Sequence, residues 1–306
     1  MNTNKILAFP GHNHDSGATA RHLASAQVLP WRPRLSQPPT AHAGNAATPI
    51  AGDEFGLGRL WQAILEDRVV VHYQPQYDLS SGRTVAVEAL VRAVDERGEL
   101  VFPDRFIGQA EASGMIVPLG RRVIEHVCRD LAAWRRQGLA IERVAINLSA
   151  HQLNIDTVLV SFIETTVMNH GLELKHLEFE LTERQMLHTE GVGTHALLAL
   201  SAAGARLAID DFGVGFSSIS YLTQLPIDTV KLDRSLVQHL PHDHTSDRVT
   251  FHLVAMAADL GLQVVAEGVE HQAQNDYLAI AGCHLAQGYL VARPMPRDDL
   301  EAHLKT

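Results

Sequence analysis

Seven short runs of apolar residues each end in a polar side chain, and most of these side chains could bind metal ions. Each run is rich in valine, isoleucine, leucine or alanine, and the residues that end them are Glu88, Asn147, Glu180, Asp210, Lys231, Glu267 and Gln287. Carboxylate and amide oxygens suit hard divalent cations such as Mg²⁺ or Mn²⁺, whereas a Zn²⁺ site would need His or Cys at these places. The set therefore predicts a magnesium or manganese centre.

Two features of this set narrow the chemistry further. Asp211 follows Asp210 directly, so that one carboxylate could bridge two ions while the other holds one. Two ions about 3.5–4 Å apart activate a water molecule and stabilise the leaving oxygen of a phosphate ester. Lys231 supplies a fixed positive charge for the water or for a phosphoryl oxygen. These residues alone predict metal-dependent hydrolysis of a phosphoester.

The apolar runs are strand candidates that alternate with helix-length segments. The predicted strands cover residues 69–79, 84–92, 144–149, 177–182, 206–210, 229–233, 263–267 and 284–290. The predicted helices cover residues 119–137, 157–170, 190–203, 246–260 and 271–281. Such alternation is typical of parallel sheets with right-handed crossovers, and eight strands favour a closed (β/α)₈ barrel of the TIM type, an α/β fold.

The seven polar residues share one direction along the predicted strands. Because alternate side chains of a strand lie on the same face, they point into the barrel mouth while their apolar neighbours face the helices. One such residue alone could simply mark where a strand reaches solvent. Seven of them at the same strand ends match the rim on which barrel active sites are built. Three alanines below this rim, Ala86, Ala145 and Ala208, leave room for the longer side chains.

The composition limits the class of protein and its compartment. Among 306 residues there are 25 Lys and Arg against 35 Asp and Glu, and this net charge of −10 argues against binding of duplex nucleic acid. The two cysteines exclude a disulfide framework. The sequence has no apolar run that could span a membrane, and the apolar run near its start is too short for a signal peptide. We expect a cytoplasmic protein.

Residues 1–50 differ in composition from the rest of the chain. This stretch is rich in proline, alanine, histidine and glutamine and has no apolar periodicity. Such a segment cannot bury enough surface to offset the entropy of ordering it. The sequence predicts a disordered tail or linker over residues 1–50 and one folded domain over residues 51–306.

The polar residues lie in ordered motifs that resemble the EAL domain family, the cyclic di-GMP-specific phosphodiesterases. The matching stretches cover about residues 55–304 and include Glu88-Ala89-Leu90, Asn147-Leu148-Ser149, Glu180-Leu181-Thr182-Glu183, Asp210-Asp211-Phe212-Gly213 and Gln287-Gly288-Tyr289. The resemblance implies hydrolysis of cyclic di-GMP to linear pGpG, which lowers the second messenger and so regulates biofilm formation and motility. It also implies a modified barrel with an antiparallel first strand, consistent with a hairpin turn at Ser80-Ser81-Gly82.

The resemblance implies a metal or catalytic role for most of the rim. The implied metal ligands are Glu88, Asn147, Glu180, Asp210, Asp211 and Glu267. The first four match the ligands of one ion, and Asp210, Asp211 and Glu267 match the residues around a second. Lys231 matches the catalytic lysine near the attacking water, and Glu88 and Glu267 complete the catalytic group. Two Mg²⁺ or Mn²⁺ ions per site are therefore expected.

Other matched positions bind substrate or support the site. Gln74, Arg92 and Gln287 match substrate-binding positions. Glu183 matches the glutamate that holds the loop after Asp210, and Glu270 matches a second supporting position. Because that loop contacts the dimer partner in this family, the resemblance also implies a homodimer.

One departure from the family pattern follows Arg92. Ala93 stands where the family usually has tryptophan, and the next two residues replace a His-Pro pair. This change is expected to weaken packing near the substrate-binding residues and so to lower affinity. It removes no implied metal ligand.

Two alternative functions remain beside the enzyme. The main one is a degenerate domain that binds cyclic di-GMP without cleaving it and acts as a receptor through protein partners. The other is a purely protein-binding regulator with a vestigial site. Degenerate members typically lose metal ligands, the lysine or the loop glutamate, and all of these are present here. The sequence therefore favours the phosphodiesterase, and an assay for linear pGpG separates the three hypotheses.

Overall fold

Strands and helices alternate along the part of the chain that the structure describes. The structure is a computed structural model, and it describes residues 55–186, 188–189, 191–213, 222 and 224–305. The predicted tail over residues 1–50 lies outside these residues, so the tail and the boundary at residue 51 stay predictions. Within the described ranges, every helix is too short or too polar to cross a membrane.

The predicted strands are all present, with small shifts at their ends. The strands are β1 (Val69–Asp78), β2 (Thr84–Val94), β3 (Leu100–Val101), β4 (Arg143–Asn147), β5 (Leu177–Thr182), β6 (Arg206–Phe212), β7 (Thr229–Leu232), β8 (Gln263–Glu267), β9 (Leu285–Gln287) and β10 (Met295–Pro296). β4 ends before Ser149 because this serine caps the next helix by accepting a hydrogen bond from the His151 N–H. The short strands β3 and β10 were not predicted.

Eight of these strands close into a barrel. The order around the barrel is β1, β9, β8, β7, β6, β5, β4 and β2, and β2 pairs again with β1. Neighbouring strands from β2 and β4 through β9 are parallel, whereas β1 is antiparallel to both β2 and β9. The short strands β3 and β10 pair with β2 and β1 outside the ring. The predicted modified (β/α)₈ barrel with an antiparallel first strand is confirmed.

The helices pack around the outside of the barrel. They are α1 (Leu57–Leu65), α2 (Ile107–Ser113), α3 (Ile116–Arg136), α4 (Ala150–Ile155), α5 (Leu159–Asn169), α6 (Glu183–Met186), α7 (Val192–Ala202), α8 (Arg234–Val237), α9 (His244–Asp259), α10 (Gln272–Ile280) and α11 (Arg297–His303). The five predicted helices correspond to α3, α5, α7, α9 and α10. The others were missed because helices of one to three turns show too little apolar periodicity.

The apolar core lies between the strands and the helices. Outward-facing residues such as Val87, Ile146 and Phe179 are buried in one continuous apolar cluster with α3 and the other helices. Some inward-facing residues below the rim are small, and Ala86 and Ala145 are wholly buried. The strands therefore present an apolar face to the helices and a polar rim toward the inside of the barrel.

One buried carboxylate joins the first strand to α3 and α11. The Tyr73 hydroxyl donates to Asp130 Oδ2 at 2.7 Å, and its ring packs edge-on against Trp134 with ring centroids 4.8 Å apart. Arg297 Nη1 lies 3.3 Å from Asp130 Oδ1. This contact fixes β1 from outside the barrel, while the next residue, Gln74, reaches the barrel mouth.

Replacing Gly288 by alanine should destabilise the protein by about 1–3 kcal/mol through overpacking. A Cβ at Gly288 would overlap the backbone of Val269, which hydrogen-bonds to Gln287 O and to the Leu290 N–H. Urea unfolding measures the loss. Gly108→Ala in α2 is the matched control, because nothing lies within 4 Å of its Cβ position and alanine favours the helix. Equal stability of the two variants would contradict the close approach at Gly288.

Candidate active site

Lys231 lies in the barrel mouth with four carboxylates around its ammonium group. Its Nζ is 2.7 Å from Glu267 Oε1, 2.9 Å from Glu180 Oε2, 3.2 Å from Asp210 Oδ1 and 3.4 Å from Glu88 Oε2. Lys231 is wholly buried, although lysine is among the residues least often found inside proteins. The structure thus brings together five of the predicted site residues, with four carboxylates around the Lys231 ammonium.

Side-chain amides hold Glu88 from both sides. Asn147 Nδ2 donates to Glu88 Oε1 at 2.8 Å, and Gln287 Nε2 donates to Glu88 Oε2 at 2.7 Å. Gln287 Nε2 also donates to Gln74 Oε1 at 3.0 Å, and Gln74 Nε2 donates to the Ala292 carbonyl at 3.2 Å. These bonds orient the Glu88 carboxylate and join the ends of β4 and β9 to the hairpin of β1 and β2.

Asp211 reaches the site because β6 is irregular at its end. Strict alternation would turn Asp211 away from Asp210. The pairing of β6 with β7 shifts between Ile209 and Phe212, and Asp211 has a φ of +54°. This left-handed backbone is unfavourable for aspartate and is often found at functional sites. As a result, Asp210, Asp211 and Glu267 each place one carboxylate oxygen within 4.8 Å of the other two.

Burial, together with the excess of negative charge, shifts the pKa values of the site. Burial raises the pKa of Glu267 to about 8, with Asp210 and Glu88 adding to the effect and Lys231 opposing it. Burial and then the Asp210 charge raise the pKa of Asp211 to about 6. Burial also raises the pKa of Glu180 well above its usual range. For Lys231, burial is outweighed by the surrounding carboxylates, so its pKa is raised and the ammonium stays charged.

The donor set of the mouth fits hard divalent cations. Five carboxylates and one amide face a single ammonium group, so the site has a surplus of negative charge. Glu180 Oε1 is buried and has no hydrogen-bond partner within the described part of the chain. Oxygen ligands without imidazole or thiolate suit Mg²⁺ or Mn²⁺. The carboxylates could hold such ions while Lys231 remains as a fixed charge beside them.

The two supporting glutamates lie at different distances from this centre. Glu183 is buried at the start of α6, where the chain turns after Thr182. The loop that it is predicted to hold lies beyond Gly213 and outside the described residues. Glu270 Oε1 instead accepts a hydrogen bond from Arg234 Nη2 at 2.8 Å, and the Arg234 side chain packs closely on Gly268. Within the described residues, Glu270 is thus joined through Arg234 to Gly268, the residue after Glu267.

Glu178 is a further buried carboxylate inside the barrel, and it was not singled out from the sequence. Glu178 is wholly buried two residues before Glu180, and its Oε2 accepts from Thr229 Oγ1 at 2.7 Å and from Arg206 Nε at 3.0 Å. Arg143 Nε lies 3.4 Å from the same oxygen. The sequence signal that could have identified Glu178 is its place in β5, two residues before Glu180, because alternate side chains of a strand point in the same direction. Its charge is balanced by two arginines and adds little to the surplus at the rim.

The metal-free protein should lose stability as the pH rises from about 4.5 to about 8. The folded Glu267 and Asp211 have pKa values of about 8 and about 6, above their ordinary values of 4.5 and 3.8. In this range the folded protein binds more protons than the unfolded chain, so the free energy of unfolding falls as the protons leave. Urea unfolding in the presence of a chelator measures this slope.

Glu267→Gln is the control for this pH dependence. It removes the larger of the two shifts and leaves every other titratable group of the chain in place. The variant should therefore lose less stability than the parent between pH 5 and pH 8, by more than about 1 kcal/mol. Identical pH profiles for the two proteins would show that Glu267 is not protonated in the folded state.

Comparisons with known proteins agree with this geometry. The model of the EAL domain family matches residues 58–294. The bifunctional diguanylate cyclase/cyclic di-GMP phosphodiesterase MucR of Pseudomonas aeruginosa is 38% identical over 80% of this chain and 36% of its own length. The cyclic di-GMP phosphodiesterase PdeR of Escherichia coli is 38% identical over 95% of this chain and 43% of its own length. This chain thus spans less than half the length of either relative.

A solved structure shows the same architecture. The phosphodiesterase part of MucR in complex with c-di-GMP superposes with a TM-score of 0.74 at 38% identity, covering 80% of this chain and 98% of that one. The match of the family model extends over most of the barrel, from α1 to the segment before β10. On these grounds, the chain belongs to the EAL domain family.

Proposed function

We propose that this domain hydrolyses cyclic di-GMP to linear pGpG with two Mg²⁺ or Mn²⁺ ions. The main support is the buried Lys231 with four carboxylates within 3.4 Å of its ammonium group. Such a centre has the negative charge to hold divalent cations and the positive charge to receive a phosphodiester. Relatives named as cyclic di-GMP phosphodiesterases support the same substrate.

In this reaction the oxygen of a water molecule forms a bond to phosphorus and the bond from phosphorus to one 3′ oxygen breaks. The attacking water loses a proton, and the leaving oxygen gains one. When bound, the divalent cations supply Lewis-acid activation of the water and the phosphodiester. The Lys231 ammonium stabilises the negative charge that develops on the reacting oxygens, because its side chain is wholly buried and the carboxylates around it hold the charge in a fixed place.

The residues of the rim divide into three groups in this proposal. The proposed ligands are Glu88, Asn147, Glu180 and Asp210 for one cation and Asp210, Asp211 and Glu267 for the other. Lys231, Glu88 and Glu267 form the catalytic group. Gln74, Arg92 and Gln287 contact substrate, and Gln287 does so through Oε1, since its Nε2 already donates to Gln74 and Glu88. Glu183 is proposed to hold the loop after Asp210, and Glu270 is proposed to support the site without binding a cation.

We also propose that the protein acts as a cytoplasmic homodimer. Cys128 and Cys283 are both buried free thiols, which fits a reducing compartment. The dimer is supported by the family resemblance of the segment that follows Asp210. By lowering the level of the second messenger, the enzyme would affect biofilm formation and motility.

Purified protein with Mg²⁺ or Mn²⁺ should convert cyclic di-GMP to pGpG, and Asp210→Asn should reduce turnover by at least about a hundredfold. The substitution keeps the shape of the side chain but removes the charge of the proposed bridging ligand. Product chromatography measures turnover, and thermal unfolding checks the fold of the variant. Binding of cyclic di-GMP without turnover by the parent protein would favour a receptor instead, and near-native turnover by the variant would exclude the two-ion site.

Glu183→Ala should lose activity about 10–100-fold and recover part of it at high Mg²⁺ or Mn²⁺, since residues that support metal ligands act through metal affinity. Glu88→Ala is the comparison, because it removes an oxygen donor that lies 3.4 Å from Lys231. Its loss should be larger and less reversible by metal. Metal titrations of turnover for both variants test this difference. Equal and irreversible losses would mean that Glu183 is itself a ligand.

A further inference from the structure

Phe102 is a large aromatic residue left on the surface beside the hairpin of β1 and β2. Its side chain is 53% exposed. It stands between β3 and a short 3₁₀ helix, Pro103–Arg105, for which it is the N-terminal cap residue. β3 is held in turn by its pairing with β2, where Val101 lies opposite Ala93. The backbone of Phe102 is therefore held on both sides, although much of the residue faces solvent.

The guanidinium group of Arg92 lies over this ring. The Arg92 Cζ is 4.8 Å from the centroid of Phe102, within the range of a cation–π interaction. Arg92 follows Glu88 by four residues on β2, so that both side chains lie on the same face of the strand. Phe102 thus supports a cation on the strand that carries Glu88 to the barrel mouth.

Arg92 has donors without acceptors. It is only 7% exposed, its Nη1 donates to the Val91 carbonyl at 2.8 Å, and its buried Nε has no partner within the described residues. A buried donor left unpaired costs about 1–3 kcal/mol. The guanidinium edge that carries Nε therefore has no acceptor within the described residues, and a ligand with acceptor atoms in one plane would supply it.

A second arginine–phenylalanine pair in the same protein shows the contrast. Arg121 Cζ lies 5.2 Å from the Phe162 ring centroid, but its Nε and Nη2 both donate to Asp156. The donors of Arg121 are thus used within the fold. Arg92 has the same aromatic support but no carboxylate bound to it among the described residues, which is the arrangement expected where a ligand supplies the acceptors.

We propose that Phe102 is a positioning residue, whose ring holds the Arg92 guanidinium ready to bind two acceptor atoms of the cyclic dinucleotide. This inference rests on the proposed function. A planar guanidinium edge fits two phosphoryl oxygens or the O6 and N7 of guanine. Phe102 thereby sets substrate affinity without touching the reacting phosphorus.

Phe102→Leu should raise the KM for cyclic di-GMP by about three- to thirtyfold, the range of a cation–π interaction, and change kcat by less than about twofold. Phe102→Tyr keeps the ring and should retain the parent KM. Phe162→Leu is the matched control and should also retain it, since Phe162 supports an arginine that is already paired. In an Arg92→Ala background, Phe102→Leu should add less than about twofold, because its effect passes through Arg92.

A diester without bases, bis(p-nitrophenyl) phosphate, identifies the acceptor atoms. If Arg92 binds phosphoryl oxygens, Phe102→Leu raises the KM for both substrates; if it binds guanine, only the KM for cyclic di-GMP rises. An unchanged KM for both, or a full effect of Phe102→Leu in the Arg92→Ala background, would overturn the inference. If the parent protein cleaves neither diester, the proposed function is wrong. The same variants are then compared by equilibrium binding of cyclic di-GMP. In that assay, a Kd that Phe102→Leu leaves unchanged overturns the proposed role of Phe102.

Discussion

One lysine ammonium buried among four carboxylates governs the barrel mouth. A charge removed from water is costly unless oppositely charged groups surround it, and Lys231 meets this condition with oxygens between 2.7 and 3.4 Å from its Nζ. The carboxylates do not meet it, because they share a single cation. Burial, and after it this surplus, raises the pKa values of Glu267 and Asp211. The same surplus is the physical reason for proposing that divalent cations bind here. The neighbouring amides of Asn147 and Gln287 orient one of these carboxylates, and the barrel strands bring the whole cluster together.

The antiparallel first strand matters for the same cluster. Gln74 on β1 lies directly opposite Glu88 on β2, and Gln287 at the end of β9 donates to both side chains. In a barrel of parallel strands alone, β1 would contribute only its carboxyl end to the rim. Here β1 and β2 form a hairpin that continues past Glu88 to Arg92. The inverted strand therefore provides support for a carboxylate and a surface beyond it on which substrate could lie.

Most of the fold and the centre of the site could be predicted from the sequence, because both depend on periodicity. Strand alternation alone placed Glu88, Glu180 and Lys231 on one inner face, and the structure brings them together. Alternation failed for Asp211, whose direction depends on a local backbone irregularity that leaves no periodic signal. The Arg92–Phe102 contact could not be predicted either, since it joins a residue of β2 to a residue in the short connection after β3. Neither residue type nor the spacing between Arg92 and Phe102 indicates this contact in the sequence.

The division between an apolar outer layer and a polar inner one has a consequence for how such a domain can change. Val87, Ile146 and Phe179 pack against helices, whereas Glu88, Asn147 and Glu180, which alternate with them along the same strands, face the mouth. The side chains that stabilise the domain and the side chains that line the mouth therefore alternate along the same strands. Substitutions of the polar residues in the mouth leave the apolar packing against the helices in place, so the chemistry of the mouth can change while the fold is kept.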